Sequence, residues 1–195
     1  MSFKPLFIAT TLAFLGLSST AQALTLDDLK KEGPYAISAQ TIPASGFGKG
    51  TVYSPNTTGK YALVAVCPGF VSAESSITEI SKRLATHGFV VVTIGTKTLL
   101  DFPSSRASQL LAALKAASAV TTGPAAGKID VTRQVVAGWS MGGGGTLEAA
   151  AATPGLKAAV AYAPWNLSSS KYKSITVPSA IIGSLHVAPS AEVTT

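Results

Sequence analysis

The run Tyr61-Ala62-Leu63-Val64-Ala65-Val66-Cys67 most constrains the fold of this chain. An unbroken stretch of small and β-branched apolar residues suits a strand buried on both faces, and such a strand needs cover above and below. The sequence around it supplies that cover. Glu74 to His87 carries Ile77, Ile80 and Leu84 at helical spacing, and Phe89 to Ile94 is again β-branched. Ser105 to Val120 is rich in alanine and leucine and reads as helix. Gln134 to Trp139 reads as strand, Met141 to Ala152 as helix, and Ala158 to Ala163 and Ser179 to Gly183 as two further strands. Upstream, Leu24 to Gly33 is expected to be a short helix, with Tyr35 to Ile42 and Gly50 to Ser54 as strands. Pro55 to Gly59 reads as a turn. Alternating strand and helix predicts an α/β fold, a mostly parallel sheet with helices on both faces.

One junction in that alternation carries chemistry. The strand ending at Trp139 runs straight into Gly138-Trp139-Ser140-Met141-Gly142, and a helix pattern follows. This is G-x-S-x-G in the strand–turn–helix setting that gives the motif its meaning. A sharp turn there holds the serine at the carboxyl end of the sheet, where open α/β sheets place their sites. The first free N–H of the helix, on Met141, faces a charge developing beside Ser140. The alternative is a glycine-rich turn without chemical meaning. A phosphate-binding loop fails, because no Gly-Lys-Ser/Thr follows. A second N–H donor is expected from the loop after an earlier strand, and Pro68-Gly69-Phe70 follows the Tyr61 to Cys67 run, with Phe70 as candidate. An ordinary strand-ending turn is the other reading of that tripeptide.

The ends and the composition bound the rest. Met1 to Lys4 is a short positive start, Pro5 to Leu17 is almost wholly apolar, and Ala21-Gln22-Ala23 closes the stretch. That pattern reads as a secretory signal peptide over residues 1–23. The apolar part is too short for a membrane span, which takes about 20 residues. The expected protein is secreted, extracellular or periplasmic, with one domain over 24–195 and no membrane association after cleavage. The formal charge of +6 is spread along the chain. Lys30-Lys31 and Lys82-Arg83 are too sparse to argue for nucleic acid. No metal-ligand spacing and no dinucleotide fingerprint occurs, so neither a metal nor a cofactor is expected. The single cysteine, Cys67, reads as a small buried hydrophobe. Ser168-Ser169-Ser170-Lys171 fits S-x-x-K but lies in a serine-rich loop without companion motifs. Taken alone, Trp139 is as readily core as surface, and Trp165 reads as a half-buried surface aromatic.

Taken together, several segments resemble one family. They are Gly46-Phe47-Gly48 with Val52-Tyr53-Ser54-Pro55, Pro68-Gly69-Phe70, Arg83 to Val91, Asp101-Phe102-Pro103-Ser104-Ser105-Arg106, Gly138 to Gly145, and Ala163-Pro164-Trp165. In that order they resemble the bacterial polyester hydrolases, the cutinase-like and poly(ethylene terephthalate)-degrading enzymes related to dienelactone hydrolase. The resemblance implies an α/β-hydrolase-type fold and a monomer that cleaves carboxylic esters in polyester, cutin-like or acylglycerol substrates. It implies Ser140 as nucleophile, Phe70 and Met141 as oxyanion-hole donors, and Trp139 and Trp165 as substrate-binding residues. Asp101, Arg106 and His87 come out as structural.

The likeness is incomplete near the end of the sequence. A triad in this fold runs serine, acid, histidine along the chain. The stretch Gly183-Ser184-Leu185-His186-Val187-Ala188-Pro189 keeps the family's Ala-Pro but not the acidic pair before it. The histidine expected tens of residues later has no counterpart before Thr195. The expectation is an incomplete α/β-hydrolase domain lacking the last strand or strands and the closing helix, and an impaired hydrolase. His186 is read as a tail residue, with a direct action on Ser140 as the alternative. Two other functions stay open: a non-catalytic relative that binds hydrophobic polymer surfaces, and a dienelactone-hydrolase-like hydrolase.

Overall fold

The computed structural model describes residues 25–167 and 170–183. The segment read as a signal peptide and His186 lie outside the described residues. The helices are α1 (Leu26–Lys30), α2 (Thr78–Thr86), α3 (Pro103–Ser118) and α4 (Met141–Ala152). The strands are β1 (Ile37–Ile42), β2 (Lys49–Pro55), β3 (Tyr61–Cys67), β4 (Val90–Gly95), β5 (Ile129–Trp139), β6 (Ala158–Tyr162) and β7 (Ser179–Ile182). They form one seven-stranded sheet in the order β1-β2-β4-β3-β5-β6-β7. β2 runs antiparallel to β1 and β4, and the remaining neighbours are parallel. The α/β expectation and the mostly parallel sheet are therefore met.

The strand order explains the cover. The chain moves from β3 to β4 in one direction, then crosses back over β3 to β5. Crossovers between parallel strands are right-handed, so reversing direction puts the connecting helices on opposite faces. Side chains follow suit. Leu63, Ala65 and Cys67 of β3 pack with Leu110 and Leu114 of α3 and Ala149 of α4. Val64 and Val66 face the other way, toward Ile77 and Ala85 beside α2. Every residue of β4 is buried, as a strand covered on both faces requires. The reversal also leaves a crevice at the carboxyl ends of β3 and β5, the topological switch point where ligands bind in open α/β sheets.

Beyond shifts of one to three residues at other element ends, three segments depart from the sequence reading. The expected Glu74 to His87 helix splits into a short 3₁₀ turn over Glu74–Ile77 and then α2. The Glu74 carboxylate is turned inward, accepting from Thr93 Oγ1 at 2.5 Å and pairing with Lys49 Nζ at 3.2 Å. β5 starts at Ile129 rather than Gln134, because the register against β3 skips from Asp130 to Gln134. Asp130 stabilises that bulge, accepting from Thr132 N at 2.9 Å and from Arg133 Nε at 2.6 Å. Ser170–Ser174, read as loop, is a 3₁₀ turn.

Candidate functional site

The β5–α4 junction is the sharpest feature of the backbone. Trp139 ends β5, Met141 opens α4, and Ser140 between them has φ 53° and ψ −118°. Side-chain-bearing residues seldom adopt such angles, and they persist only where surrounding bonds impose them. Here Ser140 N donates to Tyr162 O at 2.8 Å, while Ser140 O accepts from Gly144 N at 3.0 Å and Trp165 N at 2.9 Å. Ser140 is thereby fastened to the end of β6 and the loop after it. Only two other described non-glycine residues have positive φ, Val71 at 54° and Ala163 at 40°. Val71 follows the β3 loop, and Ala163 follows β6. All three strained residues thus lie at the carboxyl ends of β3, β5 and β6.

Close approach of the loops depends on missing side chains. A Cβ on Gly142 would overlap the carbonyl oxygens of Pro68 and Cys67. The first turn of α4 therefore seats directly against the end of β3. A Cβ on Gly69 would lie 2.7 Å from two ring carbons of Trp139 and 3.3 Å from Ser140 Cβ. The Pro68-Gly69-Phe70 loop thus runs alongside Ser140. Among the described residues, neither Phe70 N–H nor Met141 N–H donates to a protein acceptor.

Exposed apolar side chains surround this point. Trp139 is 44 % exposed and Trp165 41 %, so the reading of Trp139 as a core residue does not hold. Phe70, Leu99 and Phe102 are similarly open. Phe102 and Trp165 form a tilted aromatic pair with ring centroids 6.4 Å apart. In the sequence Phe102 stands out only as part of the Asp101 to Arg106 motif. Its position before Pro103, at the start of a helix, gave no signal that it meets Trp165. A cavity of about 650 Å³ lies elsewhere, between the end of β1 and the carboxyl half of α3. No chemistry-bearing group singled out above lines it.

Polar groups behind the loops are buried and satisfied. Arg106 is fully buried in α3, and Gln109 is nearly so. Asp101 accepts from Thr98 N at 3.0 Å and Gln109 Nε2 at 2.8 Å. Burial alone would raise the Asp101 pKa. The bonds from Thr98 and Gln109, with the charge of Arg106, outweigh it and hold the carboxyl below its ordinary range. Cys67 is fully buried, and burial pushes its thiol up to about 12, which removes it as a nucleophile at neutral pH. His87, the one histidine among the described residues, follows α2 at the amino-terminal end of β4, and its Nε2 contacts Lys31 O at 3.1 Å. Ser140 is at the opposite, carboxyl end of the sheet. On the far side of Trp165, Glu148 of α4 accepts from Asn166 Nδ2 at 3.0 Å and pairs with Lys171 Nζ at 3.1 Å. Lys171 of the S-x-x-K match is therefore an ion-pair partner. Among the described residues, no cluster of three metal-ligating side chains occurs and no helix is long and apolar enough to cross a membrane.

A family profile described as PET hydrolase-like matches residues 22–194, nearly the whole sequence. The chain belongs to the PET hydrolase-like family. Among characterised relatives, Cutinase 1 of Thermobifida cellulosilytica is 46 % identical over 154 residues, which is 77 % of this chain and 58 % of that protein. Cutinase est2 of Thermobifida alba is 45 % identical over 156 residues, 78 % of this chain and 52 % of its own length. The bis(hydroxyethyl) terephthalate hydrolase of Streptomyces coelicolor is 46 % identical over 158 residues, 77 % of this chain and 49 % of its own. The chain spans about half the length of the curated relatives it matches. The resemblance read from the sequence thus named the right family, one of carboxylic ester hydrolases.

Proposed function

We propose that this PET hydrolase-like chain carries the nucleophile and oxyanion side of a secreted serine ester hydrolase for polyester, cutin-like or acylglycerol substrates. The observation that carries the reading is Ser140, held at positive φ between β5 and α4 with the Gly69 loop alongside. In the proposed reaction Ser140 Oγ attacks the ester carbonyl carbon. Negative charge builds on the carbonyl oxygen, where the N–H groups of Phe70 and Met141 bind it. Such donors are typically worth about 3 kcal/mol each in the transition state. The tetrahedral intermediate collapses, the C–O bond to the alcohol breaks, and the alcohol leaves carrying the proton that the Ser140 hydroxyl gave up on attack. Water then attacks the acyl-Ser140 carbonyl and releases the acid. Trp139 and Trp165 offer aromatic surface to the acyl side of the substrate.

A serine hydroxyl is a weak nucleophile until a base takes its proton. His87, at the other end of the sheet, does not serve. The base and its orienting acid must therefore come from outside the described residues, and without them the serine reacts slowly. Residues 1–23 are proposed to direct export, leaving a mature chain that starts at Leu24.

The test is to label the protein with a biotinylated fluorophosphonate, beside Ser140→Ala. It also compares hydrolysis of p-nitrophenyl butyrate by the two proteins. Labelling and turnover that vanish with Ser140→Ala support the nucleophile. Equal signals from both would remove it, and binding of both proteins to polyester film would then favour a non-catalytic polymer binder.

A further inference from the structure

We propose that Arg106 is a positioning residue that sets the direction of the Phe70 N–H beside Ser140; this rests on the reading of Phe70 as an oxyanion donor. Arg106 is fully buried, yet no carboxylate lies within ion-pair distance among the described residues. A buried charge is costly unless its donors are used. Here they are spent on backbone carbonyls of two loops. Nη1 donates to Pro68 O at 3.0 Å, Nη2 to Leu99 O at 3.1 Å and Nε to Asp101 O at 2.6 Å.

Those carbonyls bracket Phe70. Pro68 lies two residues before it and is held by Arg106 directly. Val71 lies immediately after it, and Val71 N donates at 3.0 Å to the same Leu99 O that Arg106 grips. Val71 is also the β-branched residue at positive φ, a conformation that needs outside restraint. Just past the second anchor, Ser72 N donates back to Gly69 O at 3.3 Å, which fixes the plane of the Gly69–Phe70 peptide. The N–H of that peptide points opposite to its carbonyl. The planar guanidinium fork therefore spans the loop on both sides of the donor. A lysine keeps the charge but has no fork of fixed geometry.

Arg106→Lys separates the two roles. Val71 amide exchange is followed by NMR, with the rate of Ser140 phosphonylation by a fluorophosphonate and kcat and KM for p-nitrophenyl butyrate. The expected result is a folded variant with faster Val71 exchange and with phosphonylation and kcat slowed about 10- to 100-fold, less than the roughly 100- to 1000-fold typical of removing an oxyanion donor outright, because the donor is misdirected rather than lost. KM is expected to stay nearly constant. Unchanged Val71 exchange, or faster exchange with unchanged phosphonylation, would overturn the proposal. If Arg106→Lys does not fold, the unsubstituted chain decides: phosphonylation should shift the Arg106 Nε–H resonance, and no shift would overturn it. A parent chain that Ser140 phosphonylation never modifies would instead defeat the nucleophile reading, whereas Val71 exchange still reports on Arg106.

Discussion

Asn166 Nδ2 donates to Glu148 Oε1 over 3.0 Å, tying the residue after Trp165 to the third turn of α4. Lys171 Nζ reaches the other oxygen of the same carboxylate at 3.1 Å. Glu148 therefore clamps both ends of the segment that follows β6. Glu148→Ala is expected to lower stability by about 2 kcal/mol, in the range for losing a charge-assisted bond at a nearly buried group. Glu148→Gln, which keeps an oxygen for Asn166, should lose less than half of that. Urea unfolding midpoints of the three proteins check the order.

Gly142 is the point where α4 meets the end of β3, and a methyl there overlaps backbone oxygen rather than a movable side chain. Gly142→Ala is expected to cost more than about 3 kcal/mol, as steric overlap at a fixed backbone contact does. Gly69→Ala meets the Trp139 ring instead, which can turn aside, and is expected to cost less. Thermal unfolding followed by circular dichroism ranks the two.

Phe102 touches Trp165 while remaining open to solvent. Phe102→Ala should leave stability within about 0.5 kcal/mol, as exposed sites do. The effect is expected in substrate choice. An aromatic pair of this kind contributes about 0.5–1.5 kcal/mol, equivalent to about a 2- to 10-fold change. The ratio of kcat/KM for p-nitrophenyl benzoate over p-nitrophenyl acetate should fall by that amount.

Asp101 has a carboxyl held below its ordinary range in the folded state. For such a group the unfolded chain binds its proton more readily, so folding gains stability above the unfolded value of about 3.9. That gain is lost as pH falls from there through the depressed folded value. Asp101→Asn should be less stable than the parent at pH 6 and should lose less on acidification. Denaturation midpoints between pH 6 and pH 3 test both halves.

Cys67 is fully buried with its thiol at about 12. It should be inert to dithiobis(nitrobenzoate) in the native protein and react only as fast as the chain opens. A reaction rate in buffer equal to the rate in 6 M guanidinium would contradict the placement of Cys67.

The sequence is most legible where a single local rule acts. Tyr61–Cys67 and Met141–Ala152 agree with the structure at both ends. The first is a strand buried on both faces, and the second starts at a glycine-flanked turn. It is least legible where one side chain overrides its neighbours. Asp130 gathers Thr132 and Arg133 into a bulge, and the polar residues there mask the first part of β5. Glu74 turns into the protein and tightens the turn before α2. Within the site, Ser140 announces itself by motif, and Gly69 by its place after β3. Arg106 comes out only through the family resemblance, as structural, and nothing in its alanine-rich helix signals what it touches. Its burial depends on three carbonyls that only the folded loops bring within reach.

Two of the three strained residues, Ser140 and Ala163, are linked. Ser140 is held by the carbonyl of Tyr162 at the end of β6. The next residue, Ala163, is held in turn by the carbonyl of Ile182 at the end of β7. Both conformations borrow their restraint from the next strand along the sheet, β6 for Ser140 and β7 for Ala163. The posture of Ser140 is thus tied to β6, and the turn just beyond Tyr162 is tied to β7. A loss of pairing at β7, the last strand among the described residues, would loosen first the turn at Ala163 and then the serine that leans on β6.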